Sequence, residues 1–166
     1  MSRSRLNVVG QLGIAGILCG AMVVAASSGC GGSDDPFTYK KISGSVTYDD
    51  GSLIEAPQLS VKFNPIDPKV VDGNKYPKSG SANMDIATGK FDSVTSHTFG
   101  DGLVPGKYTV TVVAQDEQKH QLPLVGPQYA DASKSPLVFD TNDAPWTITV
   151  KKPSASDMQK QPARSR

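Results

Sequence analysis

All twelve prolines of this 166-residue chain fall after residue 30, about one in eleven from there on. Each fixes φ, removes a backbone donor and breaks a helix interior. A helical bundle or coiled coil is therefore excluded, and what remains open is a set of short extended segments joined by turns. The length holds one domain and not two of ordinary size.

Over residues 39–152 the apolar side chains recur with period two, the mark of half-buried strands. Ile42, Gly44, Val46 and Tyr48 alternate with Ser43, Ser45 and Thr47, and Asp49-Asp50-Gly51 offers residues that accept positive φ in a hairpin turn. Alternation resumes over 59–63 and stops at Pro65. A long loop with Pro68, Gly73 and Pro77 leads to a weaker strand over 81–85, and Gly89 is placed for a left-handed bulge before a strand at 91–95. Residues 103–106 read as a turn and Lys107–Gln115 as the clearest strand; 137–140 and 146–151 complete a set of about seven. Trp146 heads an alternating run with Ile148 and Val150, which places it in the core. The pattern predicts an all-β fold, a single antiparallel β-sandwich of about seven strands, Ig-like but without the immunoglobulin disulfide, over residues 39–152.

Residues 1–29 carry Arg3 and Arg5, no acid, and an apolar run over 12–26. Fifteen residues suit the core of a signal peptide better than the roughly 20 needed to span a bilayer. The competing feature is Gly16-x-x-x-Gly20, a spacing able to seat a transmembrane dimer. Cys19 lies inside that run, and Cys30 follows it; no other cysteine exists, so disulfide scaffolds, Cys-rich zinc sites and Cys nucleophiles drop out of the folded part. Residues 30–38, rich in Gly, Ser and Asp, read as a flexible linker. Residues 153–166 have too little to bury and read as a disordered basic tail.

Seventeen Lys and Arg against sixteen Asp and Glu give a net charge of +1, with no basic excess for nucleic acid. The distribution is uneven: residues 31–150 have 10 Lys and 15 acids, and residues 151–166 have five basic residues and one acid.

Ser27-Ser28-Gly29-Cys30 resembles a bacterial lipobox, with Ser27 where the motif usually has Leu. The resemblance implies a diacylglycerol on the Cys30 sulfur, cleavage just before it and acylation of the new amino group, an anchor that is effectively permanent. A second resemblance rests on three segments: Ile42-Ser43-Gly44-Ser45-Val46-Thr47-Tyr48 with its following Gly turn and 59–63, then Gly89-Lys90-Phe91, then the run from Gly102 through Pro105-Gly106-Lys107-Tyr108 to Val110. Their order and spacing resemble the carboxypeptidase regulatory-like, or transthyretin-like, domain, and joined to a lipobox they resemble small lipoproteins of the planctomycete type. The loop over 65–80 and Ala87-Thr88 depart from that pattern. The resemblance implies a prealbumin-like sandwich without catalytic residues, serving as a structural, adhesive or protein-interaction module.

His97 and His120 are the only histidines, and no His-Glu-x-x-His, Gly-x-Ser-x-Gly or phosphate-cradling loop is present. No enzyme, cofactor or metal is expected; the alternative is a composite site of both histidines with Asp101 or Asp116, against which two exposed loop histidines are preferred. Asp140, Asn142 and Asp143 could help bind calcium but lack the glycine and distal glutamate of an EF-hand loop, so an Asx-rich turn is preferred. Tyr76, in a polar loop, is the choice for stacking on a sugar. Tyr129 is expected instead to fill a gap at the sheet edge, its hydroxyl on a backbone partner, with Asp131 and Ser133 capping its loop.

The expected function is that of an exported, non-enzymatic lipoprotein, lipid-anchored through Cys30 to the outer membrane or the periplasmic face of the envelope. Its partners are the bilayer and another envelope protein or glycan, not nucleic acid. The alternative is a carbohydrate- or calcium-binding module of the cell envelope, contacting ligand through Tyr76, Asp140, Asn142 and Asp143.

Overall fold

A computed structural model describes residues 35–160 apart from 72 and 74. The expected signal peptide, Cys30, the first part of the linker and the last six residues lie outside the described residues.

The alternating segments all form strands: β1 (Gly44–Tyr48), β2 (Gln58–Pro65), β3 (Gly80–Asp85), β4 (Lys90–Thr95), β5 (Lys107–Gln115), β6 (Val138–Asp140) and β7 (Trp146–Val150). Burial follows the sequence alternation. Leu59, Val61 and Phe63 of β2 are buried while Lys62 is exposed, and Trp146, Ile148 and Val150 of β7 are buried while Thr147 and Thr149 are exposed.

The strands form one sheet in the order β6-β5-β2-β3-β4-β1-β7. Two stacked sheets are expected from the sequence, but the hydrogen-bond ladder runs unbroken from edge to edge and curls nearly into a barrel. The curl is closed by the two edge strands: the rings of Phe139 on β6 and Trp146 on β7 lie 5.4 Å apart, and the indole Nε1 donates to the Asp140 carbonyl at 2.9 Å. Phe63 packs against Trp146 and Phe91 at 5.4 and 5.8 Å, tilted as aromatic pairs prefer. Gly44 makes the closure possible, since a Cβ there would lie 2.3 Å from the Trp146 carbonyl oxygen and 2.8 Å from the Phe91 ring. No buried side-chain polar atom among the described residues lacks a hydrogen-bond partner.

Two pairings differ from the expectation. The expected hairpin at Asp49-Asp50-Gly51 does close a tight turn, with Tyr48 N–H donating to the Ser52 carbonyl at 2.9 Å and Gly51 at φ 81°. Yet β1 leaves it to pair with β4 and β7, not β2. The β1–β7 pair is also parallel, the exception in an otherwise antiparallel sheet. Local patterning predicts strands, while strand order is decided by which buried faces meet across the whole chain.

This register gives the sheet two ends. At the proximal end lie the segment 35–43 and the β2–β3, β4–β5 and β6–β7 loops. At the distal end lie the β1–β2 and β3–β4 loops, the first part of the β5–β6 loop, which then returns along the edge to Val110, and the chain after β7. Beyond Pro153 a six-residue helix, α1 (Ala155–Lys160), stands where disorder is expected. Ser154 and Asp157 cap it reciprocally: the Asp157 carboxylate takes the Ser154 N–H at 3.0 Å and the Ser154 hydroxyl takes the Asp157 N–H at 3.2 Å. Among the described residues no helix is long and apolar enough to cross a membrane.

Candidate functional site

The proximal end concentrates the unusual chemistry. The segment read as flexible linker is pinned from Asp35 on: the Tyr39 hydroxyl donates to Asp35 Oδ2 at 2.5 Å and Phe37 N–H donates to Asp35 Oδ1 at 3.3 Å. Backbone bonds between Lys40 and Leu103, at 2.8 and 3.0 Å, fasten it to the β4–β5 loop. The Tyr39 ring stacks on His97, centroids 6.4 Å apart and 13° from parallel. His97 in turn has Nε2 3.8 Å from Asp35 Oδ2 and Nδ1 2.9 Å from Lys78 Nζ, so one imidazole joins the leading segment, the β2–β3 loop and the β4–β5 loop.

Asp101 holds the β4–β5 loop from inside. Its carboxylate accepts the backbone amides of Ser96, His97 and Thr98 at 2.8–2.9 Å. Burial pushes the Asp101 carboxyl up, but these amides and the Ser96 hydroxyl outweigh it and hold it below the usual range. Gly102 follows at φ 106°, where a Cβ would lie 2.0 Å from the Lys40 carbonyl oxygen. The Asp35 carboxyl is also lowered, first by the Tyr39 hydroxyl, and Tyr39 is raised, first by burial and then by Asp35. At neutral pH the carboxylate stays ionised and the phenol keeps its proton. The pair is suited to clasping the chain rather than to moving protons.

Two concavities flank this region. One, of about 470 Å³, opens between the β2–β3 loop and the turn before β5, lined by Phe37, Pro65, Pro68, Val71, Val104 and Tyr108 among others. The other, of about 770 Å³, lies across β1, β3, β4 and the start of β7, with Lys90, Asp92 and Thr147 among its walls.

Tyr76 is 55 % exposed, as the sugar-stacking reading requires. It directly follows the Val71–Lys75 bridge, and Val70, directly before that bridge, is itself 49 % exposed. Asp140 forms the Asx turn: its Oδ1 accepts the Asn142 amide at 2.9 Å. Between them lies the buried Thr141, whose N–H donates to the Gly106 carbonyl and whose hydroxyl accepts the Gly106 N–H, both at 3.0 Å. Asn142 and Asp143 are exposed. Tyr76 and the Asp140 turn thus share the proximal end on separate loops, each held by its own contacts.

The histidines part company. His120 lies beyond β5 at the distal end, where Asp116 takes its amide at 2.7 Å and its ring Nδ1 at 3.0 Å. Since β5 has nine residues, about 30 Å of strand separates that end from His97. They cannot share one site. His97 also departs from expectation in being only 24 % exposed. Among the described residues no three His, Cys, Asp or Glu side chains gather to hold a metal.

Sequence reasoning missed the pinning role of Asp35, which sits in a stretch of Gly, Ser, Asp and Pro, and the exposure of Phe99. That ring is 85 % exposed, two residues after His97. A single aromatic among polar residues reads equally well as a plug into the core. Comparison of the chain with protein-family models, with curated proteins and with solved structures finds no match.

Proposed function

We propose that the chain is an exported lipoprotein, held by acyl chains on Cys30 at the outer membrane or the periplasmic face of a bacterial envelope. Its β domain, of the carboxypeptidase regulatory-like or transthyretin-like kind, serves as a non-enzymatic structural, adhesive or protein-interaction module. The observation that carries this reading is Ser28-Gly29-Cys30 directly after an apolar run of signal-peptide length that begins behind Arg3 and Arg5.

The two-layer form of such a domain has its own support. Tyr108, at the start of β5, donates its hydroxyl to the Val104 carbonyl at 2.8 Å, four residues upstream. That is the tyrosine-corner geometry of Greek-key sandwiches. The ladders β2–β3 and β1–β4 comprise two residue pairs each, short junctions at which a sheet can fold over into two layers. A non-enzymatic role is supported by the engagement of Asp35, Tyr39, His97 and Asp101 in holding loops together.

Mass spectrometry of the mature N-terminus tests the anchor, the expected result being an acylated cysteine at position 30. Cys30→Ala should move the protein from the membrane to the soluble fraction with its melting temperature unchanged. An unmodified N-terminus elsewhere, with the wild-type chain already soluble, would overturn the reading.

A further inference from the structure

We infer that the proximal end of the domain is a membrane-docking surface, seated on the phospholipid headgroups of the bilayer that holds Cys30. The inference rests on the lipid anchor proposed above and deepens it.

The leading segment holds the domain close to Cys30. With the linker free as far as residue 38, the domain could stand well clear of the surface. The structure pins the chain from Asp35 on, through the Tyr39 hydroxyl and the Lys40–Leu103 bridge. Four residues then lie between Cys30 and Asp35, five steps of chain that span at most about 18 Å fully extended. The chain length therefore limits how far Asp35, at the proximal end, can stand from Cys30. The distal end lies a further strand length away.

This end also presents apolar side chains to solvent. Of the five large apolar side chains exposed among the described residues, Val70, Tyr76 and Phe99 stand in proximal loops, with Phe99 the most exposed at 85 %, while Leu53 is distal and Val138 lies on β6. Lys78 Nζ against His97 Nδ1 ties the two loops that carry them. Tyr76 precedes Lys78 by two residues and Phe99 follows His97 by two. Around them Lys41, Lys69, Lys78 and Lys107 are exposed.

Apolar tips ringed by lysine ammoniums match the boundary between acyl chains and phosphates, where a phenol or phenyl ring enters a few ångströms and the amines meet the headgroups. Of the acids at this end, Asp35 accepts from Tyr39 and Asp101 is turned onto the backbone amides of its own loop, while Asp67 and Asp143 are exposed beside the lysines. The distal end carries charge of both signs, Asp49, Asp50, Glu55 and Glu117 in its loops against Lys151 and Lys152 after β7, and Leu53, at 38 %, is the large apolar side chain exposed in its loops among the described residues.

The test uses the full acylated chain in vesicles of phosphatidylcholine and phosphatidylglycerol carrying bromine on the acyl chains. Phe99→Trp reports the proximal end, and Leu53→Trp, also exposed, the distal end. Docking requires the Phe99→Trp emission to fall about twofold in brominated vesicles, with Leu53→Trp unchanged. An acylated chain that floats with the vesicles yet shows equal or no quenching at the two positions overturns docking and leaves the anchor standing. An unacylated chain that does not float overturns both. Should the Phe99→Trp emission ignore lipid and respond to N-acetylglucosamine oligomers, the surface recognises glycan and the docking proposal fails. Tyr76→Ser with Phe99→Ser gives a second readout, since the doubly changed chain should remain anchored while losing its protection of the β2–β3 loop from protease on vesicles.

Discussion

The β5–β6 and β2–β3 loops are both long, proline-bearing connections that each carry one tyrosine, yet they end in opposite states. In the β5–β6 loop a 3-10 turn, Pro127–Ala130, drives Tyr129 inward until 5 % of it is exposed, and its hydroxyl accepts the Lys151 N–H at 3.2 Å. A second ring reaches the same loop from β1, Tyr48 donating to the Leu124 carbonyl at 2.6 Å. Val125 is buried beside them. The β2–β3 loop has a backbone bridge at Val71–Lys75 and leaves Tyr76 in solvent. Length does not decide whether a loop is part of the fold. What decides it is whether a large apolar body finds a gap while its polar tip finds a backbone partner.

The sharpest way to break this contrast is Tyr129→Ala, which should destabilise the domain by about 3 kcal/mol, the low end for losing a buried aromatic. Urea denaturation measures it, and an unchanged midpoint would mean that the loop does not depend on its ring. Tyr48→Phe keeps the ring and removes the hydroxyl, leaving the Leu124 carbonyl without that donor. A loss of about 1 kcal/mol is expected, together with faster amide exchange in the β5–β6 loop. If exchange there is unaltered, the fastening belongs to Tyr129 alone.

A smaller effect concerns acid. Asp131 takes the Ser133 amide and hydroxyl at 2.9 and 2.8 Å and pairs with Lys134 at 3.1 Å. The Ser133 hydroxyl first, then its amide and Lys134, hold the carboxyl down to about 2. A carboxyl lowered on folding contributes stability above its unfolded value, near 3.9. That contribution fades as pH falls from about 4 toward 2. Asp131→Asn should flatten the stability curve over that window and leave its shape above pH 5 unaltered; an identical slope in both proteins would remove Asp131 from the account. Last, Tyr76→Ala should shift the denaturation midpoint by less than about 0.5 kcal/mol, as exposed positions do. A loss approaching that of Tyr129→Ala would erase the difference between the loops.

Much of this was readable from residue pattern alone. The period-two runs located all seven strands, because half-burial writes itself into alternating side chains. The inward turn of Tyr129 and the capping by Asp131 followed from the need to fasten a long loop with the residues at hand. The unbroken ladder and the parallel β1–β7 pair were not legible, since they join segments about a hundred residues apart through complementary faces rather than local preference. Nor was the clasp of Asp35, Tyr39 and His97, whose members are polar residues in loops and acquire meaning only when Lys40 meets Leu103. Tyr76 was legible as exposed; Phe99 carried no comparable signal.

The parallel neighbours β1 and β7 also set how the domain answers a pull. The chain enters β1 at one end of the sheet and leaves β7 at the other, and the two strands are joined over five residue pairs, from Gly44↔Trp146 to Tyr48↔Val150. A tension applied between the leading segment and the trailing residues runs along this seam, in opposite directions on its two sides. The hydrogen bonds of the ladder are then strained together in shear, instead of opening one after another as in a zipper. A domain held by its leading segment and tugged from the residues after β7 meets the load on its first and last strands, with the curled sheet behind them undisturbed until that seam slides.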